Sequence, residues 1–167
     1  MDQQPEIPEV VPIVTRRPMP ALLRQVFSNN VGPYAYRPAG VLLALLGLLT
    51  IFQITLIGGA PLGQAAWGGG HEVLPLNFRL GSAFSIAIYG LVIWLVRRRL
   101  EFPSRRGYRL AVKIVAGYFA LGVLMNLASA SLWERYLMAP VALALAWACW
   151  TIARARTERD PDVHINS

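Results

Sequence analysis

The stretch Ala39–Ile57, AGVLLALLGLLTIFQITLI, decides how this chain is read. It carries no charge, and no charged residue occurs between Arg37 and Glu72. A bilayer's hydrocarbon core is about 30 Å thick, and about 20 apolar residues cross it as a helix. The stretch is long enough. Gly58-Gly59-Ala60-Pro61 then ends it, glycine by its freedom and proline by blocking continuation. Three further runs are similarly apolar, with Lys113 their one charged residue: Leu80–Val96, Leu110–Ala130 and Tyr136–Ala153. The expected fold is all-α: an integral membrane protein with an antiparallel four-helix transmembrane bundle over residues 39–153.

The composition agrees. Only 15% of the 167 residues are charged and 55% are hydrophobic. Mean hydropathy is +0.44. Soluble domains carry about 25% charged residues. The net charge of +7 suggests nucleic acid at first sight. The basic residues instead lie in short blocks beside apolar runs, which excludes a continuous basic face and nucleic acid as a partner. Cys149 is the single cysteine, so an internal disulfide, a CxxC pair and a cysteine zinc site are excluded. It lies in an apolar run and reads as a small packing residue. No cofactor motif or metal-ligand cluster is recognisable, and none is expected.

Residues 1–38 form an N-terminal tail. Pro5, Pro8 and Pro12 keep its start from propagating a helix, so it reads as disordered. Ala21–Asn29 reads either as a short helix in the headgroup region or as a loop packed on the bundle. No apolar h-region precedes residue 38, so no cleavable leader is expected. Residues 154–167 form a second polar tail.

Four spans put both tails and the loop after span two on one side. That side holds all but Arg79 and Arg135 of the 16 basic residues. The positive-inside rule makes it cytoplasmic. Both termini are therefore expected on the cytoplasmic side of the membrane. Tyr34, Tyr36, Trp94, Tyr108, Trp133, Tyr136 and Trp150 fall near span ends, where aromatic rings favour the interface. Trp147 is deeper and is expected to pack between helices. Lys113 is expected to snorkel. Small residues four apart, as in Gly40/Ala44, Ala83/Ala87, Ala116/Ala120, Ala142/Ala146 and Ala144/Ala148, would let helices approach closely.

Two polar regions are candidates for function. The first lies on the outer face: His71, Glu72, Asn77 and Arg79 from the glycine-rich loop and its exit, with Asn126, Ser129, Glu134 and Arg135 from the turn between spans three and four. Glu72 with Arg135, or Glu134 with Arg79, would clamp the loop. The other reading is a ligand or partner site in which His71 titrates near neutral pH. Gln53, Thr55, Asn126 and Ser129 are expected to bond between helices, and Ser82 and Ser85 to bond back to their own helix; the functional alternative is that these polar residues line a shallow polar pocket open to the outer face. The second region is the cytoplasmic basic cluster Arg97, Arg98, Arg99, Arg105, Arg106 and Arg109. It reads as a topology signal that meets anionic lipid, or as a site for a cytosolic partner.

Two stretches carry a resemblance. One runs from Gly59-Ala60-Pro61-Leu62-Gly63 through His71-Glu72-Val73-Leu74-Pro75 to Arg79-Leu80-Gly81-Ser82. The other runs from Met125-Asn126-Leu127-Ala128-Ser129 through Glu134-Arg135 to Ala139-Pro140-Val141-Ala142-Leu143. They resemble a family of small bacterial four-span membrane proteins of uncharacterised activity. The resemblance implies the same architecture, a place in a bacterial inner membrane, and no particular reaction. The preference for Arg over Lys suits a GC-rich bacterial genome.

These readings favour a non-enzymatic accessory or scaffold component, partnered by the bilayer and by another membrane protein or a second copy. A small oligomeric transporter or channel is the alternative. A membrane enzyme using Glu72, His71 and Arg79 is the third.

Overall fold

The computed structural model describes residues 33–155, with side chains from Arg37 onward. The expectations for the two tails, save the residues next to the bundle, lie outside this range, as do those for the side chains of Tyr34 and Tyr36. Within it the chain is helical, with no strand. Helix α1 is Pro33–Ile57, α2 is Leu76–Glu101 and α3 is Arg106–Ala128. A π-helical turn, Glu134–Met138, runs without a break into α4, Ala139–Arg154. Four helices are long and apolar enough to cross a membrane, the fourth counted from Glu134.

The helices outrun the apolar stretches that announce them. α2 begins at Leu76, not Leu80, and carries Arg97–Arg99 in its last turns. Charge does not stop a helix; only a missing hydrogen-bond partner or a steric block does. The block at α1 is Gly59, whose φ of +86° is left-handed. Its N–H donates to the Leu56 carbonyl at 3.1 Å and the Ala60 N–H reaches Thr55 at 3.0 Å, a Schellman cap. The π turn has a cause as well. Pro140 has no N–H to give the helix one turn back. The ladder loosens just before it, and the Ala139 N–H reaches five residues back to the Glu134 carbonyl.

The helices form a ring: α1 packs on α2, α2 on α3, α3 on α4, and α4 returns to α1. The α3–α4 contact is the most extensive. Helix α4 supplies the largest share of the core, through Leu145, Ala148, Cys149 and Ile152. They meet Ala39, Leu42 and Leu46 of α1, Val92 and Val96 of α2, and Val112 and Ala116 of α3.

Small residues do their work mainly on α4. Ala142, Ala146 and Ala148 are buried, and a methyl on Gly122 of α3 would stand 3.9 Å from Ala142. Ala44, Ala83, Ala87 and Ala120 point outward instead. Small-residue spacing is frequent by chance in an alanine-rich chain, so only helices with a close neighbour use it. Trp147 also departs from expectation. It is 54% exposed on the outside of α4, because Ala146 and Ala148 beside it take the inward positions.

Candidate functional site

At one end of the ring, residues 58–75 fold over the start of α2 and meet the turn before α4. Two single 3₁₀ turns, Gly63–Ala65 and Trp67–Gly69, shape the connection. Trp67, Gly68 and Gly69 take φ of +55°, +82° and +76° in succession. Left-handed backbone costs a side-chain-bearing residue about 1–2 kcal/mol, which glycine avoids. Trp67 bears that strain and lies on α2. Its ring is so close to Gly81 that a Cβ there would stand 2.6 Å away. It also stacks on Phe78 at 5.4 Å, and its Nε1–H donates to Ser82 Oγ at 3.4 Å.

The expected clamp exists, with other partners. Glu134 Oε1 accepts from the Gly68 N–H at 2.9 Å. Ser131 Oγ donates to the Gln64 carbonyl at 2.6 Å. Neither Glu72–Arg135 nor Glu134–Arg79 pairs; the ion pair found among the described residues is Arg98–Glu101, at 3.1 Å. Arg79 donates from Nε to the Leu74 carbonyl at 2.8 Å and lays its guanidinium on Gly59. Arg135 donates to the Ser129 carbonyl at 2.8 Å. The physical reason is local. The connection offers unpaired main-chain groups within reach, and a buried main-chain donor or acceptor must find a partner.

Glu72 is exposed, and its carbonyl, not its carboxylate, accepts from the Gly63 N–H at 2.9 Å. His71 is exposed with its ring 5.6 Å from Phe78. Asn77 is exposed. Asn126 donates to the Gly122 carbonyl of its own helix at 2.8 Å, and Thr55 to Phe52, so neither bridges helices. Ser129 Oγ accepts from the Ser131 N–H. Ser85 bonds back to Gly81 as expected, whereas Ser82 receives Trp67. Only Gln53 of the expected interhelical set bridges, its Nε2 donating to Tyr89 Oη at 3.4 Å. The eight residues thus share one end of the molecule but do not converge on one point: the side chains of Glu134 and Arg79 hold the connection, Arg135 and Ser129 brace the turn before α4, and the rest are exposed or bonded within their own helix. Replacing Glu134 by alanine is expected to raise hydrogen exchange at the Gly68 amide about fivefold, since one exposed hydrogen bond contributes about 1 kcal/mol. Glu134→Gln, which keeps an acceptor, is expected to leave it unchanged.

Beneath the connection lies a cavity of about 750 Å³. All four helices line it: Gln53 from α1, Ser85 and Tyr89 from α2, Tyr118, Leu121 and Met125 from α3, Leu145 from α4. Ala65–Gly68 roof it, with Glu134 at the rim. Gln53, Ser85, Asn126 and Ser129, read from the sequence as polar residues of a shallow outer pocket in the functional alternative, all line it, but its depth and mostly apolar lining do not show in the sequence. A further signal there is the spacing of Ser85 and Tyr89, four apart on α2 and facing Gln53.

At the opposite end the basic residues divide. Arg98 lies over Trp94 and Phe102, and Arg105 over Phe102, at 5.7–5.8 Å. Arg97, Arg105, Arg106 and Arg109 are exposed. Arg99 is a correction to the expected cluster: it is 4% exposed and turned inward. It donates to the carbonyls of Pro103, Ala153 and Ala155 at 3.2, 3.3 and 2.7 Å. Its position continues the inward row Val92, Val96, Arg99 on α2, so it is closed off from the molecule's surface. Lys113 is exposed, with its ammonium over Trp150 at 5.9 Å.

Comparison with protein-family models, with curated proteins and with solved structures finds no match to this chain.

Proposed function

We propose that this chain is a four-span inner-membrane protein that works as a non-enzymatic accessory component. The helices run antiparallel, with the Arg97–Arg109 end and both tails in the cytoplasm and the glycine-rich connection outside. Apolar side chains around the ring support this reading. Leu48 and Ile51 of α1, Ile114 and Leu121 of α3, and Leu143 of α4 are all more than half exposed. A belt of that extent on a water-soluble monomer would be an aggregation site. The resemblance of the two loop-end stretches to small bacterial membrane proteins supports the inner membrane.

The observation that carries the accessory role is how the loop-end charges are spent. Glu134, Arg79 and Arg135 each bind main-chain groups of the connection or of a nearby turn. They act as fasteners of a fixed outer surface, not as acid, base or nucleophile. Such a surface suits a partner among membrane proteins, or a second copy.

Two measurements test the proposal. Tags at Met1 and Ser167 should stay unreactive to an impermeant reagent on intact cells. A cysteine at His71, in a Cys149→Ala background, should react. Labelling of either tag would overturn the topology. Capture in mild detergent should recover a stoichiometric partner, or a second copy. A clean monomer would overturn the accessory role.

A further inference from the structure

The cavity beneath the connection has a polar group that no described residue satisfies. Gln53 is 9% exposed, and its Oε1 is buried without a hydrogen-bond partner while Nε2 reaches Tyr89. A buried unpaired amide oxygen costs about 1–3 kcal/mol. Gln53 lines a space of about 750 Å³, within the range of about 300–1,000 Å³ that holds small molecules. The void and the unmet acceptor coincide.

The lining tells what fits. Most of it is apolar. No lysine, arginine or histidine lines it, and its one ionisable acid is Glu134 at the rim. A carboxylate or phosphate head would meet a like charge and no cation. An ammonium head beside Gln53 would be buried in a mostly apolar lining whose one carboxylate, Glu134, stands at the rim and is already bonded to the Gly68 N–H. Ser85, Asn126 and Ser129 of the lining are already bonded locally, which leaves Tyr89 and Gln53 as the polar spot with an unmet acceptor. A hydroxyl both donates and accepts, so it serves Gln53 whichever way the amide is turned.

The way in is visible. The exposed helical residues of the lining, Tyr118, Leu121 and Met125 among them, belong to α3. The lining from α1 and α4 is buried or half-buried. Helix α3 leans on α4 and meets α2 at the far end, where Trp94 and Tyr108 pack edge to face at 6.4 Å. The mouth therefore lies along the α2–α3 seam, in the apolar belt. We propose that the cavity binds an uncharged, single-chain amphiphile with a hydroxyl head, entering sideways from the bilayer and placing that hydroxyl on Gln53. This rests on the membrane reading above.

The test uses the full-length chain in phosphatidylcholine liposomes. Flotation with the liposomes checks the membrane reading separately. A diazirine-bearing monoacylglycerol is the probe, and labelled peptides are mapped by mass spectrometry. Label is expected on α3 around Leu121 and Met125, displaced by excess glycerol monooleate. Oleic acid and oleylamine should need about tenfold more, one buried hydrogen bond being worth that factor. Gln53→Leu, which still offers apolar volume, should raise the glycerol monooleate requirement about tenfold. Thr55→Val, at a position outside the cavity lining whose hydroxyl is already bonded to the Phe52 carbonyl, should not. Floated protein whose label spreads evenly over lipid-facing positions, or is displaced equally by all three competitors, would overturn the proposal. Were Gln53→Leu absent from the membrane fraction, the wild-type competition series would decide alone.

Discussion

Replacing Arg99 by leucine is expected to destabilise the folded chain by about 3 kcal/mol, the largest loss from any single basic residue here. The last carbonyls of a helix have no partner within it. At α4 those of Ala153 and Ala155 receive the Arg99 guanidinium, which also ties down Pro103 in the α2–α3 turn. One side chain thus joins α2, the turn and the end of α4. Its charge also meets the negative end of the α4 dipole. Leucine would fill part of the space and leave three carbonyls without a donor. Thermal unfolding in detergent should show the midpoint falling by roughly 10 °C, at about 2–4 °C per kcal/mol. Arg99→Lys should recover only part, since an ammonium cannot fork to carbonyls on two sides. Arg97→Leu, at an exposed position, should stay within about 0.5 kcal/mol of the parent. Equal midpoints for Arg97→Leu and Arg99→Leu would show that the inward turn of Arg99 has no energetic consequence.

That contrast also marks what the sequence discloses. Runs such as Ala39–Ile57 show themselves because water penalises every apolar residue alike, whatever its neighbours. The number and order of the helices follow. Their ends do not, because Leu76–Phe78 and Arg97–Glu101 remain helical for reasons of hydrogen bonding that hydropathy does not register. Which face turns inward is only partly legible. Val92, Val96 and Arg99 lie on one helical row, and the row places Arg99 inside even though its charge suggests the surface. The loop end is the least legible. Its residues do share one end of the molecule, but their partners depend on the path of Trp67–Gly69, whose left-handed backbone aims the Gly68 N–H at Glu134. Charges read from sequence invite pairing with charges, whereas here the nearest partners are main-chain groups.

Gly63→Ala carries the second large effect, and it falls on the connection alone. Gly63 is buried, and its N–H donates to the Glu72 carbonyl at 2.9 Å. A Cβ there would stand 2.6 Å from the His71 carbonyl oxygen and 3.0 Å from that of Glu72. These are main-chain atoms and cannot swing aside as a side chain would. The same methyl would touch Leu74, which is 2% exposed and forms a small core with Leu56 and Ala66. Relief requires residues 71–74 to move away, which breaks the hydrogen bond and opens that core. Overpacking of this kind costs about 1–3 kcal/mol. Hydrogen exchange at the Gly63, Gly68 and Gly69 amides should accelerate by roughly 10- to 100-fold, while the middle of each helix keeps its protection. Gly70→Ala is the matched control. Gly70 has an ordinary φ of −74°, and a methyl added to it would meet nothing within 4 Å, so exchange should be unchanged or slightly slower. Equal exchange in the two variants would mean that the 71–74 segment is not held against Gly63, and the connection would then lose its role as the fixed roof of the cavity.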